Sequence, residues 1–247
     1  MKIGFFGGKL MGHTCLQYMI DKKIIPKFVL VNDDDDGNSG PFYESTKKLV
    51  VENHLNLINK IEDVLLYDLD IIISIGYAHI IKKQILEHPK IGIINAHPAP
   101  LPKYRGRFST MFAIINGETE HGITFHFMNE GIDSGDIVLQ KIFQLEKNET
   151  GKSLYLKSSK IIFSEFKKLI QMILENKLPK GIQQKEKNSS YYKKQVPNDG
   201  FVNLEWDEDK IDRHVRALYF PPFDLAKIRI GKKKFNILPH EIEQLQP

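Results

Sequence analysis

The sequence predicts an α/β fold: a doubly wound, mostly parallel sheet with an antiparallel edge, followed by a small C-terminal α+β tail with a hairpin. Two observations carry this prediction. Short apolar runs alternate with helix-like stretches in the first part of the chain, as they do in parallel sheets with crossover helices. Two later segments alternate apolar and polar residues, which is the pattern of half-buried antiparallel strands.

Apolar runs bounded by turn residues mark the parallel strands, at KIGFF, KFVLVN, IIISIG and IGIINA. Helices are expected between them, at GHTCLQYMIDKK, PFYESTKKLVVENH and KKQILEHP. A short helix, STMFAIING, then precedes the alternating strands GITFHFMN and IVLQKIFQL. Apolar residues at helical spacing over residues 151–177 predict a long amphipathic helix that packs on the sheet.

The chain is predicted to divide into a catalytic domain, residues 1–180, and a linker with a small C-terminal region, residues 181–247. A polar composition rich in Pro, Gly, Asn and Ser marks the linker, KLPKGIQQKEKNSSYYKKQVPNDG. In the tail, Asp207 is expected to cap a helix, and AKIRIGKKKFNIL is typical of a hairpin that turns near Gly231. We expect this hairpin to form a dimer contact.

Composition argues against several classes of protein. Hydrophobic residues make up 41% of the chain and charged residues 27%, and no apolar stretch approaches the roughly 18 residues of a membrane span. The N-terminus lacks the pattern of a secretion signal, so the cytoplasm is the expected compartment. The single cysteine, Cys15, can form neither an internal disulfide nor a cysteine-built zinc site. The net charge of +4, with scattered lysines, favours anionic small substrates over nucleic acid.

Three local patterns suggest ligands but have simpler interpretations. The glycines of residues 7–12 lack the Gly-x-Gly start of a dinucleotide site and are expected to ease the turn into a helix, whose N-terminus could still face an anion. The acidic run at residues 33–36 lacks spaced ligand geometry and is typical of a solvated loop. His121 and His126 point to opposite faces of a predicted strand, so a shared metal is not expected.

Polar side chains emerge at the end of a buried strand in INAHPAPLPKYRGR. Asn95 and His97 are two residues apart and therefore share a face, at the carboxyl end of a strand, where doubly wound sheets bind ligands. Asp133, in the glycine-rich loop NEGIDSGDIV, is the candidate third group, and Asp136 is the next. An amide, an imidazole and a carboxylate together suit acyl transfer to an amine. A serine hydrolase is disfavoured because the sequence lacks a Gly-x-Ser-x-Gly elbow.

INAHPAPLPKYRGR, followed by HGITFHFMNEGIDSGDIVLQ, resembles the folate-dependent formyltransferase family. The resemblance covers roughly residues 1–180, and DGFVNLEWDEDKIDRHVRALYFPPF is similar to the segment that follows in the tRNA and sugar branches. It implies a catalytic triad at Asn95, His97 and Asp133, with 10-formyltetrahydrofolate as co-substrate and no metal. The pterin pocket that it implies is formed by Tyr77, Ala78, His79, Ile80, Ile81, Asn129, Glu130 and Ile132.

The amine acceptor depends on the branch of the family. Only about twenty-five residues follow FPPF, too few by ordinary size rules for the tRNA-binding domain of the methionyl-tRNA branch. The purine branch reads His-Pro-Ser where this chain has HPAP. We therefore expect the nucleotide-sugar branch, with dTDP-4-amino-4,6-dideoxyglucose as acceptor for a surface polysaccharide such as the O-antigen of lipopolysaccharide. The alternatives are a UDP-linked amino sugar or another small amine, a formyltetrahydrofolate hydrolase, and a nucleotide-binding sensor without turnover.

Cationic and aromatic side chains are the candidate contacts to the nucleotide sugar. The guanidinium groups of KYRGR suit a pyrophosphate, and the aromatic rings of YFPPF suit a base. The predicted substrate-binding residues are Lys9, Met11, Arg105, Arg107, Phe220 and Phe223. The expected partners are the nucleotide sugar, the folate and a second copy of the chain in a homodimer, whereas no nucleic acid and no membrane is expected.

Overall fold

The computed structural model describes residues 1–239. The strands are β1 (Ile3–Gly7), β2 (Val29–Leu30), β3 (Ile71–Ile75), β4 (Gly92–His97), β5 (Arg105–Gly106), β6 (Glu120–Phe127), β7 (Ile137–Gln144), β8 (Tyr191–Tyr192), β9 (Ala226–Ile230) and β10 (Lys233–Ile237). The α-helices are α1 (Lys9–Asp21), α2 (Thr46–Glu52), α3 (Lys83–Leu86), α4 (Ser109–Ile115), α5 (Gly151–Leu174) and α6 (Glu208–Leu218).

The main sheet has six strands in the order β2-β1-β3-β4-β6-β7. β2, β1, β3 and β4 pair in parallel, and β6 is antiparallel to β4. The predicted doubly wound sheet with an antiparallel edge is therefore confirmed. β1 and β3 are buried along their whole length, as expected of strands covered on both faces.

The helices follow the sequence pattern, but the bounds of α1 to α5 all differ from the predicted ones at one end or both. α2 begins only at Thr46, because the side chain of Ser45 accepts a backbone hydrogen bond and caps it there. The long helix α5 ends at Leu174, three residues earlier than predicted. Asp207 caps α6 as predicted, since its side chain accepts a hydrogen bond of 2.7 Å from the backbone amide of Lys210.

The C-terminal hairpin and the polar stretch before it both carry regular structure. β9 and β10 pair antiparallel and turn at Gly231, whose φ of 58° suits glycine, so the predicted hairpin is confirmed. The stretch predicted as a linker contains β8, which pairs in parallel with β5. It also contains Ile182, which forms an antiparallel bridge with Ile137 at the start of β7.

The chain packs into two compact units, each made of several stretches. The first consists of Met1–His97, Thr124–Gln140 and Ser159–Gln184, and the second of Pro98–Ile123, Lys141–Ser158 and the described residues from 185 to 239. The first has a core that includes Phe6, Phe28, Ile72 and Ile93. The second has its own core, which includes Tyr104, Met111, Leu154, Val215 and Ala226. Within residues 1–239, no helix is long and apolar enough to cross a membrane.

Two glycines allow α1 to lie close to the sheet. A Cβ atom at Gly12 would collide with the carbonyl oxygen of Ile75 and lie 3.1 Å from the carbonyl carbon of Gly7. A Cβ atom at Gly8 would lie 2.5 Å from the side-chain nitrogen of Asn32. The absence of side chains here is therefore a packing requirement of the strand-to-helix turn, in line with the simpler interpretation of this motif.

Gly12→Ala is expected to destabilise the protein, although alanine favours a helix by about 1 kcal/mol. The added methyl group must displace the backbone at Ile75, which we expect to lower the free energy of unfolding by roughly 1–3 kcal/mol. Urea unfolding of the purified protein measures the change. Gln17→Ala on the same helix is the control and should alter stability by less than about 0.5 kcal/mol. A Gly12→Ala protein more stable than the wild type would contradict the packing argument.

Candidate active site

Strand β4 delivers two of the predicted catalytic side chains to one face of the sheet. Asn95 pairs in register with Ser74 of β3, and the Ser74 hydroxyl donates to Asn95 Oδ1 at 3.2 Å. His97 is the last residue of β4 and is only 6% exposed. The two positions differ by two on an extended strand, so both side chains lie on the same face, as predicted.

The antiparallel neighbour β6 adds a histidine that is not among the residues predicted from the sequence. His126 pairs in register with Asn95, and Asn95 Nδ2 lies 3.3 Å from His126 Nε2. The other ring nitrogen of His126, Nδ1, lies 2.8 Å from the carbonyl oxygen of Phe127. With Nδ1 donating to that carbonyl, Nε2 of a neutral ring accepts from the Asn95 amide.

The carboxylate of Asp133 lies between two imidazole rings. Asp133 Oδ2 is 3.6 Å from His97 Nδ1, and Asp133 Oδ1 is 3.5 Å from His126 Nε2. The Asp133 side chain is 14% exposed, so the pairings are largely shielded from water. Distances slightly beyond a direct hydrogen bond are common at catalytic sites that tighten around substrate. The structure thus brings the predicted trio together and adds His126 as a fourth polar group.

The loop that carries Asp133 has a constrained backbone. Asp133 has a φ of 50°, in the left-handed region that few residues other than glycine adopt, although aspartate tolerates it. Asn129 Oδ1 closes the loop by accepting hydrogen bonds from the Gly131 amide at 3.0 Å and the Ser134 hydroxyl at 2.8 Å. A Cβ atom at Gly135 would collide with the carbonyl oxygen of Phe127, so that position also requires glycine.

The segment predicted to line a pterin pocket follows β3 and is held by a buried residue, Asn32. The side chain of Asn32 donates to the carbonyl of Gly76 at 2.9 Å and accepts from the amide of Ala78 at 2.8 Å. Asn32 is not among the residues predicted from the sequence. It ends the apolar run KFVLVN, so the signal that identifies Asn95, an asparagine at the exit of a strand, is present here too.

The predicted pterin-pocket residues differ widely in exposure. Ile80 is 80% exposed, whereas Ile81 is buried in the core of the first unit. Burial raises the pKa of the Tyr77 hydroxyl to about 12. Glu130 Oε1 lies 3.2 Å from Nζ of Lys83, at the start of α3, two residues after the first predicted segment. The remaining members are His79, Asn129, Glu130 and Ile132, which are exposed, and Ala78, which is partly buried.

In the second unit, the two arginines of KYRGR have different environments. Arg105 is 7% exposed and donates to both carboxylate oxygens of Glu186, at 3.0 and 2.8 Å. Hydrogen bonding to this guanidinium lowers the pKa of the Glu186 carboxyl. The Arg105 charge is therefore balanced by a carboxylate within the same unit. Arg107 is exposed, and its backbone amide donates to the carbonyl of Tyr192 at 2.9 Å.

The other predicted substrate contacts are placed as follows. Lys9 begins α1 with a φ of 55° and is partly exposed, whereas Met11 is buried and contributes to packing. The ring of Phe220 lies 5.3 Å from that of Tyr155 and 5.4 Å from that of Phe223, which is half-exposed. Within residues 1–239, no group of three His, Cys, Asp or Glu side chains has the geometry of a metal site.

A family model described as formyl transferase matches residues 22–190. GDP-perosamine N-formyltransferase of Brucella melitensis is 36% identical over 171 residues, which cover 69% of this chain and 65% of that protein. Methionyl-tRNA formyltransferase of Clostridioides difficile is 33% identical over 202 residues, which cover 76% of this chain and 64% of that protein. The chain thus spans less than two thirds of the length of either relative.

A solved structure is similar over nearly the whole chain. It is the crystal structure of WlaRD, a sugar 3N-formyltransferase, in the presence of dTDP and 5-N-formyl-THF. The TM-score is 0.79 at 29% sequence identity, and the match covers 95% of this chain and 84% of that one. The similarity therefore includes the sheet that carries Asn95 and His97 as well as the elements beyond residue 190.

Proposed function

The chain belongs to the formyl transferase family, and on that premise we propose that it transfers a formyl group from 10-formyltetrahydrofolate to the amine of a nucleotide-linked amino sugar. The observation that carries the proposal is the meeting of Asn95, His97 and Asp133 at the end of β4. This set contains a neutral donor, an imidazole and a carboxylate, and it lacks a serine nucleophile. These groups suit the direct attack of an amine on an acyl carbon. Such a reaction proceeds without a covalent intermediate on the protein.

Each member of the trio has a role that follows from its contacts. The amine attacks as a neutral base, and the formyl oxygen gains negative charge that the Asn95 amide and a protonated His97 stabilise as preformed donors. Asp133 Oδ2 lies 3.6 Å from His97 Nδ1, and a hydrogen bond formed there as the site tightens around substrate orients the ring with Nε2 towards the reacting group. Asp133 is also the base that receives the proton lost by the amine, and His97 protonates the departing nitrogen.

The formyl donor, 10-formyltetrahydrofolate, supplies the activated formyl group, and the residues of the first unit suit its pterin. The side chains of Ile80 and Ile132 expose large apolar surfaces, which a flat heterocycle covers favourably. Asn32 fixes the backbone of residues 76–78, so the polar groups there are positioned before the ligand binds. The related WlaRD crystal structure was obtained in the presence of 5-N-formyl-THF, which supports a folate donor.

For the acceptor, we propose dTDP-4-amino-4,6-dideoxyglucose, used for a surface polysaccharide such as O-antigen. The presence of dTDP in the WlaRD structure supports the thymidine nucleotide. GDP-perosamine is the second candidate, because the enzyme named for it is 36% identical to this chain. We also propose a cytoplasmic homodimer. Its contact is the β9–β10 hairpin, where Ile230 and Phe235 are exposed apolar residues.

A panel of acceptors tests the proposed function directly. The purified protein is incubated with 10-formyltetrahydrofolate and, in turn, dTDP-4-amino-4,6-dideoxyglucose, a dTDP-linked 3-amino sugar, GDP-perosamine, a UDP-linked amino sugar and methionyl-tRNA. Mass spectrometry should detect a formylated nucleotide sugar, with the highest kcat/KM for the first acceptor. Formylation of methionyl-tRNA at a rate comparable to that of the nucleotide sugars would contradict the proposal that the acceptor is a nucleotide sugar. Donor cleavage without any formylated acceptor would indicate a hydrolase.

Asp133→Asn is expected to lower kcat by roughly 10²- to 10⁴-fold with little change in either KM, because it removes the base and the negative charge that faces His97 Nδ1. Asparagine forms turns as readily as aspartate, so a purely structural role would leave activity nearly intact. Initial rates on folded protein measure the effect. Asp136→Asn, an exposed position in the same loop, is the control and should stay near wild type. A near-wild-type kcat in Asp133→Asn together with a large loss in Asp136→Asn would show that Asp136 is the catalytic carboxylate.

Arg107→Ala is expected to raise KM for the nucleotide sugar and leave KM for the folate unchanged, because we propose that Arg107 binds the pyrophosphate. Loss of a charged hydrogen bond costs about 1.5–3 kcal/mol, which corresponds to roughly ten- to hundredfold in KM. Steady-state kinetics with each substrate varied in turn separates the two constants. Lys103→Ala removes another exposed cation and serves as the control. An unchanged KM for the sugar would exclude Arg107 from binding.

A further inference from the structure

A buried side chain fifty-one positions away holds the loop that carries Asp133. Gln184 Nε2 donates to the carbonyl of Asp133 at 2.9 Å and to the carbonyl of Gly135 at 2.7 Å. Both hydrogens of one amide group therefore bind the backbone on either side of Ser134. Gln184 is only 6% exposed, so these hydrogen bonds are not exchanged readily with water.

The segment that carries Gln184 is itself anchored beside the loop. Ile182 exchanges two backbone hydrogen bonds of 2.8 Å with Ile137, at the start of β7. Gly181 lies so close that a Cβ atom there would be 2.5 Å from Cβ of Asp136 and 3.2 Å from Cδ2 of Phe127. The position of Gln184 is therefore set by sheet pairing and close packing as well as by its own hydrogen bonds to the loop.

The backbone at Asp133 needs such an anchor. Its left-handed φ of 50° is unfavourable for a residue with a side chain, and such conformations persist where surrounding contacts hold them. The Asp133 side chain points between His97 and His126, while its main-chain carbonyl is bound by Gln184. The amide thus fixes the peptide whose rotation would carry the carboxylate away from both rings.

We propose that Gln184 is a positioning residue for Asp133: its amide holds the Asp133–Gly135 backbone in the geometry that directs the carboxylate to His97 and His126. This inference rests on the proposed function, in which Asp133 takes part in formyl transfer. Gln184 touches no reacting atom. Its effect on the reaction is exerted through the backbone of the loop that carries Asp133.

Gln184→Met tests the proposal, because methionine has a similar length and no hydrogen-bond donor. Gln183→Met is the matched control, since Gln183 is the adjacent residue of the same type and is exposed. We expect Gln184→Met to lower kcat by about 10- to 100-fold, as a misdirected catalytic group does, with KM for the nucleotide sugar changed less than about threefold. Gln183→Met should retain wild-type kinetics. Equal kinetics in both variants would overturn the proposal.

The coupling to Asp133 separates positioning from a general loss of folding. In the Asp133→Asn background, Gln184→Met should lower kcat by less than about threefold, because the carboxylate that it positions is already gone. A full further loss of about 10-fold or more would show that Gln184 acts independently of Asp133. Gln184→Asn, which keeps an amide on a shorter side chain, should have intermediate activity.

Hydrogen–deuterium exchange tests the anchor without any reliance on activity. In Gln184→Met, amides of residues 131–136 should exchange about tenfold faster or more than in Gln183→Met, while the β3 and β4 amides stay protected. Unchanged exchange in the loop would overturn the anchor whatever the enzyme does. A wild-type protein that formylates no acceptor would refute the proposed function. The exchange experiment would still show whether Gln184 holds the loop.

Discussion

The antiparallel register between β4 and β6 is the constraint on which the candidate site depends. It places Asn95 opposite His126 and His97 opposite Thr124. Side chains alternate along a strand, so a shift of one residue would turn His126 away from Asn95 and break the cluster. The apolar residues of β4, Ile93 and Ile94, are both buried, and the same shift in pairing would disturb this packing. Burial of the sheet core therefore also fixes the polar groups at its end.

The polar groups of the site depend on one another because they are poorly solvated. A carboxylate shielded from water carries a large desolvation penalty unless donors offset it. The donor that faces the Asp133 carboxylate is Nδ1 of His97, at 3.6 Å, while the amide of Gln184 binds the backbone carbonyl of the same residue. Removing one member leaves the others buried with incomplete partners, so single substitutions here report on the whole cluster and their effects do not add.

Local sequence patterns predicted the strands of the main sheet, the Asp207 cap, the hairpin and the positions of Asn95 and His97, because each depends on periodicity or on neighbouring residues. The sequence patterns did not predict the roles of Gln184 and His126, whose partners lie far along the chain. Gln184 sits in a polar stretch typical of a linker, and its role appears only when Ile182 is paired with Ile137. The sequence pattern considered His126 only as an unlikely partner of His121 at a metal, yet the strand register, which no local pattern specifies, makes His126 a neighbour of Asn95 and Asp133.

Exposure separates the residues that we propose for catalysis from those that we propose for binding. Asn95, His97 and Asp133 belong to one packed unit and are held by strand pairing and hydrogen bonds, so they meet the reacting group without reorganising. Ile80 and Arg107 are exposed, so a ligand that covers them, as we propose, would reduce the conformational freedom of their side chains. The contribution of these side chains to affinity would be the binding free energy that remains after the entropy cost of ordering them. Substitutions in the buried set should therefore act on kcat and those in the exposed set on KM, a division that follows from burial and not from residue type.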